Sequence, residues 1–117
     1  MSRLMIVDDE AVISMQLEDR LQSMEYDVVG TASSAEESVS MARVLRPDLI
    51  LMDIVMQGKL DGIDAAKKIK ADMDIPIIFL TAYTDDRYIK RAMSVEPFGY
   101  IVKPFRENEI RANIEIA

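Results

Sequence analysis

Asp8, Asp9 and Glu10 follow one short apolar run of this chain, Asp53 follows another, Thr81 ends a third and Lys103 follows a fourth. Clustered carboxylates repel one another and are costly to hold together without a cation. They are hard oxygen ligands suited to Mg²⁺, which usually takes one or two direct carboxylates and keeps several waters. A carboxylate beside bound Mg²⁺ can attack phosphorus and form an aspartyl phosphate. Phosphoryl transfer also needs groups that stabilise negative charge on the phosphoryl oxygens, and the ammonium of Lys103 and the hydroxyl of Thr81 are of the required types. Singly, each residue has an ordinary structural reading: Asp8 and Asp9 as helix N-caps, Asp53 as a solvated turn residue, Thr81 as a cap for the next helix, Lys103 as a surface ammonium. Those readings do not explain why the whole set would stand on one edge.

The edge is defined by the elements that carry these residues. The runs Leu4–Val7, Val28–Val29, Leu49–Met52, Ile77–Leu80 and Tyr100–Val102 are of strand length. Leu49–Met52 and Ile77–Leu80 are apolar at consecutive positions, as parallel strands covered on both faces require. Between the runs lie helical stripes: Ile13, Leu17, Leu21 and Met24; Val39, Ala42 and Leu45; Ile63, Ala66, Ile69 and Met73; a weaker Ile89, Ala92 and Met93; and Ile110, Ile114 and Ala117. The pattern predicts strands near 3–8, 27–32, 48–53, 76–81 and 98–102, and helices near 10–24, 34–45, 61–71, 85–94 and 107–117. Strict alternation of strand and helix means an α/β fold, a parallel sheet with right-handed crossovers and helices on both faces. In such open sheets function collects outside the carboxyl ends of the strands, where the acids, the threonine and the lysine are placed. Strand 2 ends in Thr31 and Ala32, which offer little, as expected of a strand at the sheet margin.

The chain has 117 residues, the size of one domain with a self-sufficient core, and no linker, repeat or low-complexity tract. Its net charge of −7 argues against direct nucleic-acid binding, which relies on Lys and Arg neutralising phosphates. With no Cys and no His, disulfides, thiolate catalysis, Ser-His-Asp triads and Cys- or His-metal sites are excluded. No apolar run approaches the length of a membrane span, and Met-Ser-Arg followed by a short apolar run and acids is not a signal peptide, so a cytoplasmic location is expected. Neither G-x-G-x-x-G nor G-x-x-x-x-G-K-[ST] is present, which disfavours nucleotide binding. The nine Met residues read mostly as core filler, and Lys67, Lys68 and Lys70 as a solvated basic face.

Five segments carry a family resemblance: Ile6-Val-Asp-Asp-Glu10, Pro47-Asp-Leu-Ile-Leu-Met-Asp53-Ile-Val-Met56, Asp61-Gly-Ile63, Ile78-Phe-Leu-Thr-Ala82 and Phe98-Gly-Tyr-Ile-Val-Lys-Pro-Phe105. In this order and spacing the chain resembles, over essentially its whole length, the CheY-like receiver domain of two-component response regulators. The resemblance implies a flavodoxin-like (βα)5 fold with strand order 2-1-3-4-5. It implies Asp53 as phosphoacceptor. It also implies a Mg²⁺ or Mn²⁺ site with Asp9 and Asp53 as direct ligands, Asp8 acting through water and the Val55 carbonyl as a further ligand. Lys103 would pair with the phosphoryl group, Thr81 would hydrogen-bond it, and Tyr100 would turn inward as an aromatic switch when Thr81 moves. Lys103-Pro104 is similar to the family's cis peptide bond, which would help aim the lysine. The implied partners are a histidine kinase or phosphotransfer protein as phosphodonor and a second copy through the helix 4–strand 5–helix 5 face, with no nucleic acid and no membrane. Beyond self-phosphorylation from a phosphodonor and self-dephosphorylation, no enzymatic activity is implied.

Three departures from the family pattern stand out. Gln57 takes the place of a common Pro and the loop to Asp61-Gly is one residue longer, Arg106 stands where a capping Asp or Thr is usual for helix 5, and Glu96-Pro-Phe-Gly replaces small residues before strand 5. None removes a site residue. A pseudo-receiver that lacks phosphorylation would need a missing acid, Thr or Lys, and the full set is here. An aspartyl phosphohydrolase would carry Asp-x-Asp and a cap domain, whereas Asp53-Ile-Val has no second acid. Ala117 ends the last helix without a Gly, Pro or basic last turn. The expectation is one receiver domain over 1–117, either standing alone or continued in a longer protein.

Overall fold

The structure, a computed structural model, describes residues 2–56, 58–82, 86–104 and 106–117. Five strands alternate with five helices: β1 (Arg3–Val7), α1 (Ala11–Ser23), β2 (Asp27–Ala32), α2 (Ala35–Leu45), β3 (Leu49–Met52), α3 (Gly62–Asp72), β4 (Ile77–Thr81), α4 (Asp86–Met93), β5 (Gly99–Val102) and α5 (Glu107–Ile116). All neighbouring strands pair in parallel, in the order β2-β1-β3-β4-β5. This is the flavodoxin-like arrangement expected from the sequence.

The sheet is buried on both sides because each strand sends alternate residues to opposite helical layers. Met5, Val7, Ile50, Met52, Ile77 and Phe79 face one core with Val39, Ala42, Ile63, Ala66 and Ile69 of α2 and α3. Leu4, Ile6, Leu49, Leu51, Ile78 and Leu80 face the other with Leu17, Leu21, Ile110 and Ile114 of α1 and α5. All of β3 and β4 is buried, which is why those two runs carry no polar position before their ends. Burying each Leu, Ile or Phe side chain contributes about 1.5–3 kcal/mol.

Two helical stripes differ from expectation. Met93 of α4 is half exposed and Tyr88 takes the inner position instead, packed against the first core. Ala117 lies beyond α5 and is exposed. The methionines divide: Met5, Met52, Met56 and Met73 are buried, while Met15 and Met93 face solvent. The α5 start is poorly capped, as Arg106 predicts. An arginine has no acceptor to offer as a cap; the Arg106 carbonyl accepts from the Glu109 and Ile110 N–H groups at 3.1 and 3.3 Å, and the Arg106 N–H donates to the Glu109 side chain at 3.4 Å. Gln57, Asp85 and Phe105, which the sequence reading placed in the long loop, the first turn of helix 4 and the last motif, lie outside the described residues.

Candidate functional site

The strands deliver the site residues to one edge by backbone hydrogen bonds at their carboxyl ends. The Asp8 N–H donates to the Ala32 carbonyl at 3.0 Å, that of Asp53 to Val7 at 2.9 Å and that of Lys103 to Thr81 at 2.8 Å. These bonds run β1 to β2, β3 to β1 and β5 to β4, so the residue just past each strand is fixed by its neighbour. Asp53, Asp8 and Thr81 are buried, Asp9 is half-buried and Glu10 is exposed.

The N-cap explanation of the first acids does not describe Asp8. Glu10 occupies the N-cap of α1 and makes no side-chain cap bond. One Asp8 oxygen instead accepts from the Glu10 N–H at 2.9 Å, and the other accepts from the Lys103 ammonium at 3.1 Å. The same ammonium stands 3.7 Å from an Asp53 oxygen. Lys103 thus lies between two buried carboxylates, 95 residues from one of them in sequence.

The electrostatics of Asp53 follow from this setting. Burial pushes its carboxyl up to about 6, Lys103 works against that rise, and Asp8 and Asp9 add to it by like-charge repulsion. One ammonium therefore does not offset the burial and crowding of the acids. Asp8, Asp9 and Glu10 can bring one oxygen each within 4.8 Å of one another. These residues are hard oxygen donors in excess of the local positive charge, and they fit a divalent cation such as Mg²⁺. Among the described residues the tight trio contains Glu10, which the ligand set implied by the resemblance did not. Val55 is half-buried and packs on the first core.

Thr81 ends β4 fully buried, and Tyr100 of β5 is partly buried with its ring edge-on to Phe79 at a centroid distance of 6.3 Å. Burial raises the Tyr100 phenol above its ordinary value. The Lys103–Pro104 peptide is cis, as the resemblance implies.

Two further features lie beside the site. Asp61 and Asp64 form a capping box at the start of α3, and Arg91 of α4 reaches across to Asp61 at 2.7 Å and to Asp64 at 3.4 Å. Burial works to raise the Asp61 carboxyl, but Arg91 and the Asp64 N–H outweigh it and hold it below the usual carboxylate range. The pattern Asp-x-x-Asp signals the cap, whereas nothing local in the sequence points to Arg91. A groove of about 260 Å³, lined by Ile13, Leu17, Arg20, Lys103 and Pro104, opens on the α1 side of the lysine. A larger open cleft of about 560 Å³ lies at the opposite edge, around Ser2, Tyr26, Asp48 and Glu115, away from Asp8, Asp9 and Asp53.

Sheet order and edge chemistry together define a CheY-like α/β domain with acids at the switch point between β1 and β3. The sequence profile of the response regulator receiver domain matches residues 4–115, and the chain belongs to that family of two-component signalling modules. The transcriptional regulatory protein PdtaR of Mycobacterium tuberculosis is 38% identical over 115 residues, covering 98% of this chain and 56% of its own length. The probable transcriptional regulator ycf27 of Guillardia theta is 41% identical over 112 residues, covering 96% of this chain and 43% of its own. The chain thus spans about half the length of the curated relatives it matches. Among solved structures, the signal receiver domain of a modulated diguanylate cyclase from Desulfovibrio desulfuricans superposes with a TM-score of 0.94 at 38% identity, covering 100% of this chain and 93% of that one. The N-terminal domain of a response regulator/sensory box/GGDEF protein from Carboxydothermus hydrogenoformans gives 0.85 at 30% identity, covering 97% and 91%. Members of this family are signalling modules that take phosphate from histidine kinases.

Proposed function

We propose that this chain accepts a phosphoryl group on Asp53 from a partner histidine kinase or phosphotransfer protein and passes the signal on by a change of surface. The observation that carries this reading is the placement of the Lys103 ammonium between Asp8 and Asp53 on the edge where the strands end. In the transfer, an Asp53 carboxylate oxygen attacks phosphorus. The new O–P bond forms as the bond from phosphorus to the donor's leaving atom breaks, and the electron pair departs with the leaving group. Asp9, Asp53 and Asp8 would hold Mg²⁺ or Mn²⁺, with the Val55 carbonyl as a further ligand, and the cation would supply charge neutralisation at the phosphoryl oxygens. Lys103 exchanges a carboxylate partner for a phosphoryl oxygen, and its position past β5 means it need not travel far. Thr81 donates its hydroxyl to another phosphoryl oxygen. Tyr100 then turns toward the space that Thr81 leaves, which reshapes the α4–β5–α5 face for a partner or a second copy. The same site hydrolyses its own acyl phosphate. We read residues 1–117 as one receiver domain working in the cytoplasm. Among the described residues no helix is long and apolar enough to cross a membrane.

The test is intact mass spectrometry after incubation with acetyl phosphate and Mg²⁺, with no kinase present. One added phosphoryl group is expected in the wild type and none in Asp53→Asn or when the cation is chelated. A wild type that stays unmodified would sink the reading.

A further inference from the structure

Gly62, the first residue of α3, is docked backbone to backbone on the residue that bears the nucleophile. A Cβ at this position would stand 1.9 Å from the Asp53 carbonyl oxygen, 2.9 Å from the Asp53 carbonyl carbon and 3.0 Å from the Ile54 Cα. All three are main-chain atoms, which cannot turn aside as a side-chain tip can. The Gly62 N–H donates to the Ile54 carbonyl at 2.7 Å, which holds the approach close. On its other side the first turn of α3 is held firmly. Asp61 and Asp64 exchange cap bonds of 2.9 and 3.1 Å, and Arg91 of α4 grips Asp61 at 2.7 Å. A methyl group at position 62 therefore acts against a braced helix start, and the displacement falls on the Asp53–Ile54 peptide.

We propose that Gly62 is a positioning residue for Asp53: the bare Cα of the braced α3 start sets where the Asp53 main chain lies, and through it where the carboxylate stands relative to Lys103 and Asp8. This rests on the reading of Asp53 as phosphoacceptor. A close approach made by glycine is a general device wherever two backbones must come nearer than side chains allow. Here it lies one residue past the capping aspartate and joins α3 to the end of β3. The other glycines of the described residues do not play this part. A methyl group on Gly30 of β2 would meet only the flexible tips of Leu45 and Met41, each at 2.7 Å and both able to move.

The experiment compares phosphorylation of the wild type, Gly62→Ala and Gly30→Ala by acetyl phosphate and Mg²⁺. The maximal rate and the donor concentration giving half of it are read separately, and each variant's folded fraction is checked by circular dichroism. A displacement of about 1 Å at a reacting group can cost about 100-fold in rate. A loss of that order is expected in the maximal rate of Gly62→Ala, with the half-saturating donor concentration little changed and Gly30→Ala close to wild type. In the metal-free protein, the amide NMR signals of Asp53, Ile54 and Lys103 should move in Gly62→Ala while those of β2 stay. A folded Gly62→Ala that is phosphorylated at the wild-type rate overturns the proposal, and so does equal slowing in Gly30→Ala. If Gly62→Ala does not fold, Asp61→Ala takes its place. It unbraces the same turn without a clash, and slower phosphorylation than in Arg91→Ala is expected; equal rates overturn the role. A wild type that takes no phosphoryl group overturns the reading of Asp53 itself, a different result from any of these.

Discussion

At the N-terminal edge of the sheet, polar groups close the molecule. The Tyr26 hydroxyl donates to Glu115 and ties the start of β2 to the last turn of α5, and Asp48 accepts from the Arg3 N–H at 2.8 Å. At the carboxyl edge the same kinds of group are set against one another. Asp8 and Asp53 share one ammonium, and Asp53 is pushed up to about 6 by burial first and by the neighbouring charges of Asp8 and Asp9 besides. At both edges the described buried polar side-chain atoms have hydrogen-bond partners. What differs is charge: the first edge pairs Glu115 and Asp48 each with a donor, while the second keeps an excess of carboxylate. Polar groups arranged for stability satisfy one another, and groups arranged for chemistry keep a demand that an incoming ligand can meet.

The first way to break this comparison is to remove the excess charge. The folded Asp53 carboxyl titrates near 6, above its ordinary 3.8. The native state therefore binds more protons than the unfolded chain between those values, and stability falls as pH rises through that window. Above it the ionised carboxylate costs up to about 3 kcal/mol. Asp53→Asn should be more stable than the wild type near pH 8 by roughly 1–3 kcal/mol, with the two converging near pH 4. Urea denaturation without divalent cations measures this. A destabilised Asp53→Asn at pH 8 would show that the carboxylate is satisfied in place, like those of the opposite edge.

The second prediction exchanges the edges. Tyr26→Phe removes a hydrogen bond to a carboxylate and should cost about 1–2 kcal/mol while leaving phosphorylation unchanged. Burial foremost, with Glu115, pushes the Tyr26 phenol up to about 12, so the neutral donor persists throughout the working range. A variant that loses phosphorylation with its fold intact would mean the two edges are not separate in function. The smallest effect belongs to neither edge. Arg43 and Asp72 pair at 2.9 Å between α2 and α3 with both side chains more than half exposed. Arg43→Ala should change stability by no more than about 0.5 kcal/mol.

Most of the fold was legible because the central strands β1, β3 and β4 are buried on both faces and each main helix on one, and burial of that kind writes a pattern into the sequence. The α3 stripe Ile63, Ala66, Ile69 and Met73 is buried at every position, as read. The α4 stripe was not, because a short helix of eight residues with a strongly charged outer face leaves only Ala92 fully buried and lets Tyr88 replace Met93. The site was legible at the level of residue type, since strand ends point to one edge. Its local bonding was not. That Asp8 would accept from Glu10 and Lys103 rather than cap α1, that Arg91 would brace Asp61, and that Tyr26 would meet Glu115 across 89 residues all depend on packing between elements distant in sequence. Lys70 likewise left the basic face it was read with and donates to the Glu96 carbonyl at 3.1 Å, while Lys67 and Lys68 stay exposed. Gly62 carried a signal in its place after a capping aspartate, but the main chain it would strike is visible only in three dimensions.

The central claim is that the excess charge at the carboxyl edge exists to make Asp53 a phosphoryl acceptor. Borohydride reduces an acyl phosphate on aspartate to homoserine, which marks the acceptor in a peptide map. After treatment with acetyl phosphate and Mg²⁺ followed by borohydride, homoserine is expected at position 53 and at no other acid. Homoserine at Asp8 or Asp9, or at none of the three, would contradict the account.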